Sequence, residues 1–185
     1  FIDNEIFTTF NNCCRSQFAE DNERIMIHVS NLREVKRIQD VLETFKRVQE
    51  EIPTRLIIIG EGPEMERINT FLENNPELIS KIRLMGKVND LYQILAYADV
   101  FMLPSQQESF GLAALEAMAA GTPVISSNAG GIPEVNKHGV TGFIADVGDV
   151  EAMVEYTKKL FSDESLLAKM KINAKENALK FDIAN

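Results

Sequence analysis

The sequence predicts an α/β fold, a doubly wound parallel sheet with helices on both faces. Three observations carry that expectation. Short apolar runs alternate singly with longer segments of helical period, as they do when each strand feeds a crossover helix. The runs "RLIIIG" and "DVFMLP" are continuously apolar, which suits parallel strands covered on both faces. Four runs lead into polar or glycine-bearing segments, where open parallel sheets bind their ligands.

In chain order, "RIMIHVS" is the first strand, with His28 expected as a packed strand residue. From Val35, apolar residues recur at Ile38, Val41, Leu42, Phe45 and Val48, the spacing of a helix that Pro53 closes. "RLIIIG" is the second strand; "EGP" turns the chain into a helix through Met65, Ile68 and Leu72. "IRLMG", a capped helix "NDLYQILAYA" and the strand "DVFMLP" follow. A helix ending at Gly121, the strand "PVISS", a helical turn from Pro133 and the strand "TGFIAD" come next, with His138 in a surface turn. Two helices, roughly 150–161 and 164–181, finish the chain.

The chain has 185 residues, 45% of them hydrophobic, enough for one domain with a full core. Its net charge of −9 argues against a nucleic-acid partner. "REVKR", 33–37, is a local basic exception, to be read as a solvated helix start or as an anion site. No apolar run approaches the ~18 residues of a membrane span. "FIDNEIFTTF" carries no basic start or small-residue cleavage site. Cys13 and Cys14 are adjacent, a poor arrangement for a crosslink, and His28 and His138 offer no zinc spacing. These features lead to the expectation of a cytoplasmic protein.

The ligand-facing segments should be "SNLREVK", "GEGPE", "PSQQESFG" and "SSNAGGIPE". Ser109 is a fair N-cap, and the amides of Phe110, Gly111 and Leu112 would then point out of a helix start toward an anion. Arg33 and Lys36, from a neighbouring strand end, would add the charge that a pyrophosphate calls for. Glu116, about two turns in on an otherwise apolar helix, should lean back toward the ligand end. A carboxylate there suits the paired hydroxyls of a ribose; the bland alternative is a bond to a nearby amide or lysine. Glu108, just before the helix, divides evenly between a dipole contact and a ligand contact.

Glu108, seven residues, then Glu116, inside "PSQQESFGLAALEAMAAGTPVISSNAGGIPEV", resembles the signature of retaining glycosyltransferases of the GT-B fold, family four. "GEGPE", "LMGKV", "YADVFMLPS" and "HGVTGF" stand in the order of that family, so the resemblance runs from about residue 25 to 181. "HVSNLREVKRIQDV" is closer still to members that pass N-acetylglucosamine to L-malate. The resemblance implies a Rossmann-like C-terminal domain, one half of a GT-B enzyme, over 21–181. It implies a linker remnant at 1–20, and at 182–185 the start of a crossover to an N-terminal domain that holds the acceptor. It further implies UDP-N-acetylglucosamine or a related nucleotide-sugar as donor, no metal or other cofactor, no protein nucleophile, and leaves a homo-oligomer of the whole enzyme open.

Carried over by position, Lys36 would meet the diphosphate, Glu108 the hydroxyls of the transferred sugar and Glu116 the ribose. Ser109, Phe110, Gly111 and Leu112 would offer amides to phosphate or sugar, Gly60 would line the donor site, and Val88 would meet the base. Many members have Gly-Arg-Leu where this chain has Ser30-Asn31-Leu32. The usual phosphate-binding arginine is therefore Asn31 here, and Arg33 is the candidate replacement. Two other readings compete: a transferase of polysaccharide or glycolipid synthesis with a different acceptor, and a non-catalytic nucleotide-binding module. A receiver-type signalling domain is disfavoured, because "SNLREVK" offers no acidic cluster after the first strand.

Overall fold

The computed structural model describes residues 14–182. Cys13, the rest of the 1–13 stretch and residues 183–185 lie outside that range, and so do the linker and crossover expectations placed on them. Six parallel strands form one sheet in the order β3-β2-β1-β4-β5-β6. They are β1 (Arg24–Val29), β2 (Thr54–Ile59), β3 (Ile82–Leu84), β4 (Val100–Leu103), β5 (Val124–Ser127) and β6 (Gly142–Ala145). The helices are α1 (Ile38–Gln49), α2 (Met65–Asn74), α3 (Leu91–Tyr97), α4 (Leu112–Ala119), α5 (Ile132–Val135), α6 (Val150–Ser162) and α7 (Glu164–Asp182). Among the described residues no helix is long and apolar enough to cross a membrane.

Alternation along the strands builds two cores. Met26, Leu56, Ile58, Val100 and Met102 face one side, where α1, α2 and α6 pack. Ile25, Ile27, Ile57, Phe101 and Leu103 face the other, under α3, α4 and α5. Because both faces are covered, every second residue of a central strand is as buried as its neighbour, which is why these strands read as unbroken apolar runs. α7 serves both sides: Leu167 and Met170 join the first core, Ala174 and Ala178 the second.

The register pairs Met26 with Val100 and Ile27 with Phe101, so β1 and β4 lie side by side although α1 to α3 separate them in sequence. Strand order therefore reverses direction between β1 and β4. That is the topological switch point, and the two loops leaving it diverge to open a crevice.

Residues before β1 are docked on the domain. Arg15 bonds Asp99 at 3.3 Å, Phe18 packs against Tyr97, and Ala19 is buried in the second core. Cys14 is exposed, its Sγ 2.8 Å from the Ser16 hydroxyl.

Three local expectations need correction. The first helix does not begin at Val35: a 3-10 turn, Glu34–Lys36, comes first, and Arg37 takes a left-handed φ of 53° before α1 starts. The Val35 carbonyl accepts the Gln106 amide from the loop after β4 at 2.9 Å. Asp90 precedes α3 without a side-chain cap, whereas Asp149 does cap α6, accepting the Ala152 amide at 3.0 Å. Ser109 is not the N-cap of α4; Gly111 is, at φ 81°, a conformation that glycine adopts freely.

Candidate active site

The loop after β1 and the loop after β4 face one another across a cleft of about 530 Å³. Asn31, Arg33, Val35 and Lys36 line one wall; Gln106, Gln107, Glu108, Ser109 and Gly130 line the other. The cleft stands at the carboxyl ends of β1 and β4, at the switch point.

Two features hold the far wall. The Gly131 amide donates to the Glu108 carbonyl at 3.3 Å. Gly130, at φ 53°, brings its backbone against the same residue: a Cβ there would lie 1.7 Å from the Glu108 carbonyl oxygen. The loop after β5 thus props up the loop after β4, and only glycine permits the approach.

Lys36 and Glu108 meet across the cleft, Nζ to Oε2 at 2.7 Å, both side chains about four-fifths buried. Each charge neutralises the other in a partly desolvated place, where either alone would be costly. Arg33 is exposed on the same wall and forms no ion pair among the described residues.

His28 lies beneath the near wall, fully buried. Its Nδ1 is 2.9 Å from the Met102 carbonyl and its Nε2 is 2.9 Å from the Ser30 hydroxyl. Burial pushes its pKa down to about 4, with the nearby Lys36 cation acting in the same direction, so the ring is neutral at neutral pH. His138 is exposed and takes the Ile144 amide on Nδ1 at 3.0 Å.

The other expected residues, Gly60, Val88, Phe110, Gly111, Leu112 and Glu116, do not line this cleft. With Gly111 as cap, the first intrahelical bond runs from Leu115 to the Gly111 carbonyl at 3.0 Å. The amides free of intrahelical partners are those of Leu112, Ala113 and Ala114, two residues later than the sequence suggested. Phe110 is exposed and sets its ring edge against Phe181, centroids 6.0 Å apart. Glu116 stands one turn into α4 rather than two. It is an exposed residue, yet desolvation around its carboxyl holds the pKa above the ordinary value. Gly60 donates its amide to the Gly86 carbonyl at 2.8 Å and passes tightly under Ser30. Val88, in the segment after β3, is partly buried against the second core.

Sequence reasoning did not single out Val35, Gln106, Gln107 or Gly130. All four fall within segments it had placed at strand ends; Gly130 is one of the glycines those segments carry, and nothing in the residue types of the other three distinguished them.

Comparison with known proteins decides the family. The family described as glycosyl transferases group 1 matches residues 14–177. The chain belongs to that family. Within the group 1 glycosyltransferases it is 40% identical over 157 residues to the N-acetyl-alpha-D-glucosaminyl L-malate synthase of Bacillus anthracis. That match covers 85% of this chain and 41% of the relative. It is 34% identical over 168 residues to the sulfoquinovosyl transferase SQD2 of Arabidopsis thaliana, covering 89% of this chain and 32% of the relative. The chain therefore spans less than half the length of these curated relatives. Among solved structures, HepE of Anabaena in complex with UDP superposes with a TM-score of 0.81 at 24% identity, over 90% of this chain and 46% of that one. The fold is that of one Rossmann-like half of a GT-B glycosyltransferase.

Proposed function

We propose that this domain binds the nucleotide-sugar donor of a retaining glycosyltransferase, that the donor is UDP-N-acetylglucosamine, and that the whole protein passes the sugar to L-malate. The single observation that carries the reading is the cleft at the switch point, where Lys36 and Arg33 on one loop face Glu108 on the other. The 40% identity to the N-acetyl-alpha-D-glucosaminyl L-malate synthase supports the sugar and the acceptor. UDP in the HepE complex supports the nucleotide.

In this reading the diphosphate enters between the loops, and Lys36 turns from Glu108 to its oxygens. Transfer breaks the bond between the sugar's anomeric carbon and the phosphate oxygen, the electron pair leaving on UDP. The acceptor hydroxyl oxygen forms the new bond to that carbon, and the hydroxyl proton passes to the departing phosphate oxygen. Charge grows on that oxygen in the transition state, so fixed cations at Lys36 and Arg33 lower the barrier electrostatically. Glu108, released from Lys36, accepts hydroxyls of the transferred sugar, and Glu116 accepts those of the ribose. The reading calls on no metal and no protein nucleophile, and places the protein in the cytoplasm. A second domain holds the acceptor, in keeping with a chain that spans 41% of the N-acetyl-alpha-D-glucosaminyl L-malate synthase.

The likeness to a sulfoquinovosyl transferase favours a second reading, with the same nucleotide site but another sugar and acceptor. Calorimetric titration with UDP-N-acetylglucosamine, UDP-glucose and GDP-mannose tests the donor. Saturable binding of the UDP-sugars, tightest for UDP-N-acetylglucosamine, is the expected outcome. No binding of any of the three overturns the reading. UDP release from the whole protein, with and without L-malate, then tests the acceptor.

A further inference from the structure

The near wall of the cleft is an unusual piece of chain. Ser30 to Arg33 contains no glycine, yet Leu32 sits at φ 44°, a left-handed conformation that costs a bulky residue free energy. Such a residue persists only where its surroundings over-determine it. The Leu32 side chain is fully buried in the first core, and its carbonyl accepts the Glu64 amide at 2.9 Å. Its own amide has no strand or helix partner; it donates to the Ser30 hydroxyl at 3.1 Å.

That hydroxyl is the middle of a chain of bonds whose direction is fixed. A carbonyl only accepts, so His28 Nδ1 carries the ring proton toward Met102. Nε2 of the neutral ring is then an acceptor, and the Ser30 hydroxyl donates to it at 2.9 Å. The oxygen's lone pairs are left facing the Leu32 amide. The order runs from Leu32 N–H to Ser30 O–H to His28 Nε2, then from His28 Nδ1–H to the Met102 carbonyl of β4. The relay starts under the loop that carries Asn31 and Arg33 and ends on the strand that feeds the opposite wall.

We infer that His28 and Ser30 are positioning residues for the diphosphate. Through the Leu32 amide they hold the turn that presents Asn31 and Arg33 to the cleft. This role rests on the functional reading above and adds two residues to it that touch no substrate. Neither is replaceable by an apolar side chain of similar size, because the Leu32 amide would lose its acceptor or the Ser30 hydroxyl its orientation.

Ser30→Ala is the sharper test, since a half-buried serine is removed without opening the core; His28→Leu is the second variant and Ser30→Thr the conservative control. UDP and uridine are titrated calorimetrically against each. A positioning role predicts roughly tenfold weaker UDP binding for Ser30→Ala and His28→Leu, uridine within about twofold of the unsubstituted chain, and recovery in Ser30→Thr. Hydrogen exchange at the Leu32 amide, read by NMR without ligand, should rise about tenfold in Ser30→Ala. Parallel loss of UDP and uridine, or no loss of either, overturns the positioning role. Unchanged Leu32 exchange overturns the relay itself, whatever the chain binds. Failure of the unsubstituted chain to bind UDP overturns the functional reading, and with it the diphosphate role, while the exchange result stands apart. Should His28→Leu not fold, Ser30→Ala decides alone.

Discussion

Glycine backbone presses on both walls of the cleft, Gly60 and Gly62 on Ser30 and Asn31 and Gly130 and Gly131 on Glu108 and Ser109, but the near wall also contains strained non-glycine backbone. The loop after β1 has no glycine and holds two residues, Leu32 and Arg37, at positive φ through side chains: His28, Ser30 and the Arg37–Asp40 pair at 2.6 Å. The loop after β4 is held through backbone, with Gly130 and Gly131 pressed onto Glu108 and with Gly111 turning the chain into α4. One wall carries the cations, the other the carboxylates. The Gln106 amide and the Lys36–Glu108 pair tie them together. A wall held by side chains should fail when a specific polar atom is lost. The far wall, which among the described residues carries no non-glycine residue at positive φ, should respond chiefly to an added methyl group.

The largest effect should come from adding that methyl. Gly130→Ala places a Cβ against the Glu108 carbonyl at positive φ, with an expected loss of about 4 kcal/mol in urea unfolding, from strain plus overpacking. Gly139→Ala is the control: φ is also positive, 75°, but nothing lies within 4 Å, so only the conformational cost of about 1–2 kcal/mol is expected. Equal losses at the two positions would break the claim that backbone contact supports the far wall.

The near wall should instead respond to acid. Burial lowers the folded pKa of His28 to about 4 from the ordinary 6.5, so between those values the unfolded chain binds the extra proton. Stability is thus fully present above about pH 6.5 and falls as pH drops toward 4, by about 3 kcal/mol in all. Urea midpoints measured across that window should show the slope, and His28→Leu should flatten it. An unchanged slope in the variant would move the acid sensitivity elsewhere.

Glu116 sharpens the comparison on the carboxylate side. Glu116→Ala should weaken UDP binding by roughly 10- to 150-fold, the worth of about 1.5–3 kcal/mol for charged hydrogen bonds to a hydroxyl pair. Its pKa is raised by desolvation, so the charged form is the costly one in the folded chain. That cost is present above the folded pKa and fades as pH falls through it. Glu116→Gln should therefore melt slightly higher than the unsubstituted chain at pH 7 while binding UDP worse, the advantage disappearing toward acid pH. A lower melting temperature at pH 7 would show Glu116 to be structural.

The smallest effect separates the two cations. Lys36→Met should weaken UDP about tenfold and uridine little, and Arg33→Met less than Lys36→Met, because Arg33 is the more exposed of the two. Equal loss of UDP and uridine would point to misfolding. A loss confined to Lys36 would make Arg33 surface charge.

The same contrast explains what the sequence revealed. Six apolar runs separated by helical periods were enough for a parallel sheet, though not for its strand order, because central strands covered on both faces read as unbroken apolar runs. The far wall announced itself through glycines and through two glutamates, Glu116 on an apolar helix and Glu108 just before it. The near wall did not. A left-handed leucine looks like any leucine, so helical spacing from Val35 was read straight through a 3-10 turn and a left-handed Arg37. Ser109 looked like a cap because its residue type suits one, but glycine at 111 could make the same turn two residues later, which set Glu116 one turn into α4. His28 was rightly read as packed; that its ring nitrogens reach a loop hydroxyl depends on the β1–β4 register, which no local pattern encodes. Lys36 and Glu108 were each legible, but their meeting at 2.7 Å required strands separated by three helices to lie side by side.

The central claim is that the cleft between these loops receives a diphosphate and that Lys36 exchanges Glu108 for it. A crystal structure of the chain soaked with UDP measures this directly. The account predicts both phosphates between the two walls, Lys36 Nζ within hydrogen-bonding distance of a phosphate oxygen, and Glu108 turned away from it. A nucleotide bound elsewhere, or bound here with the Lys36–Glu108 pair intact, would contradict it.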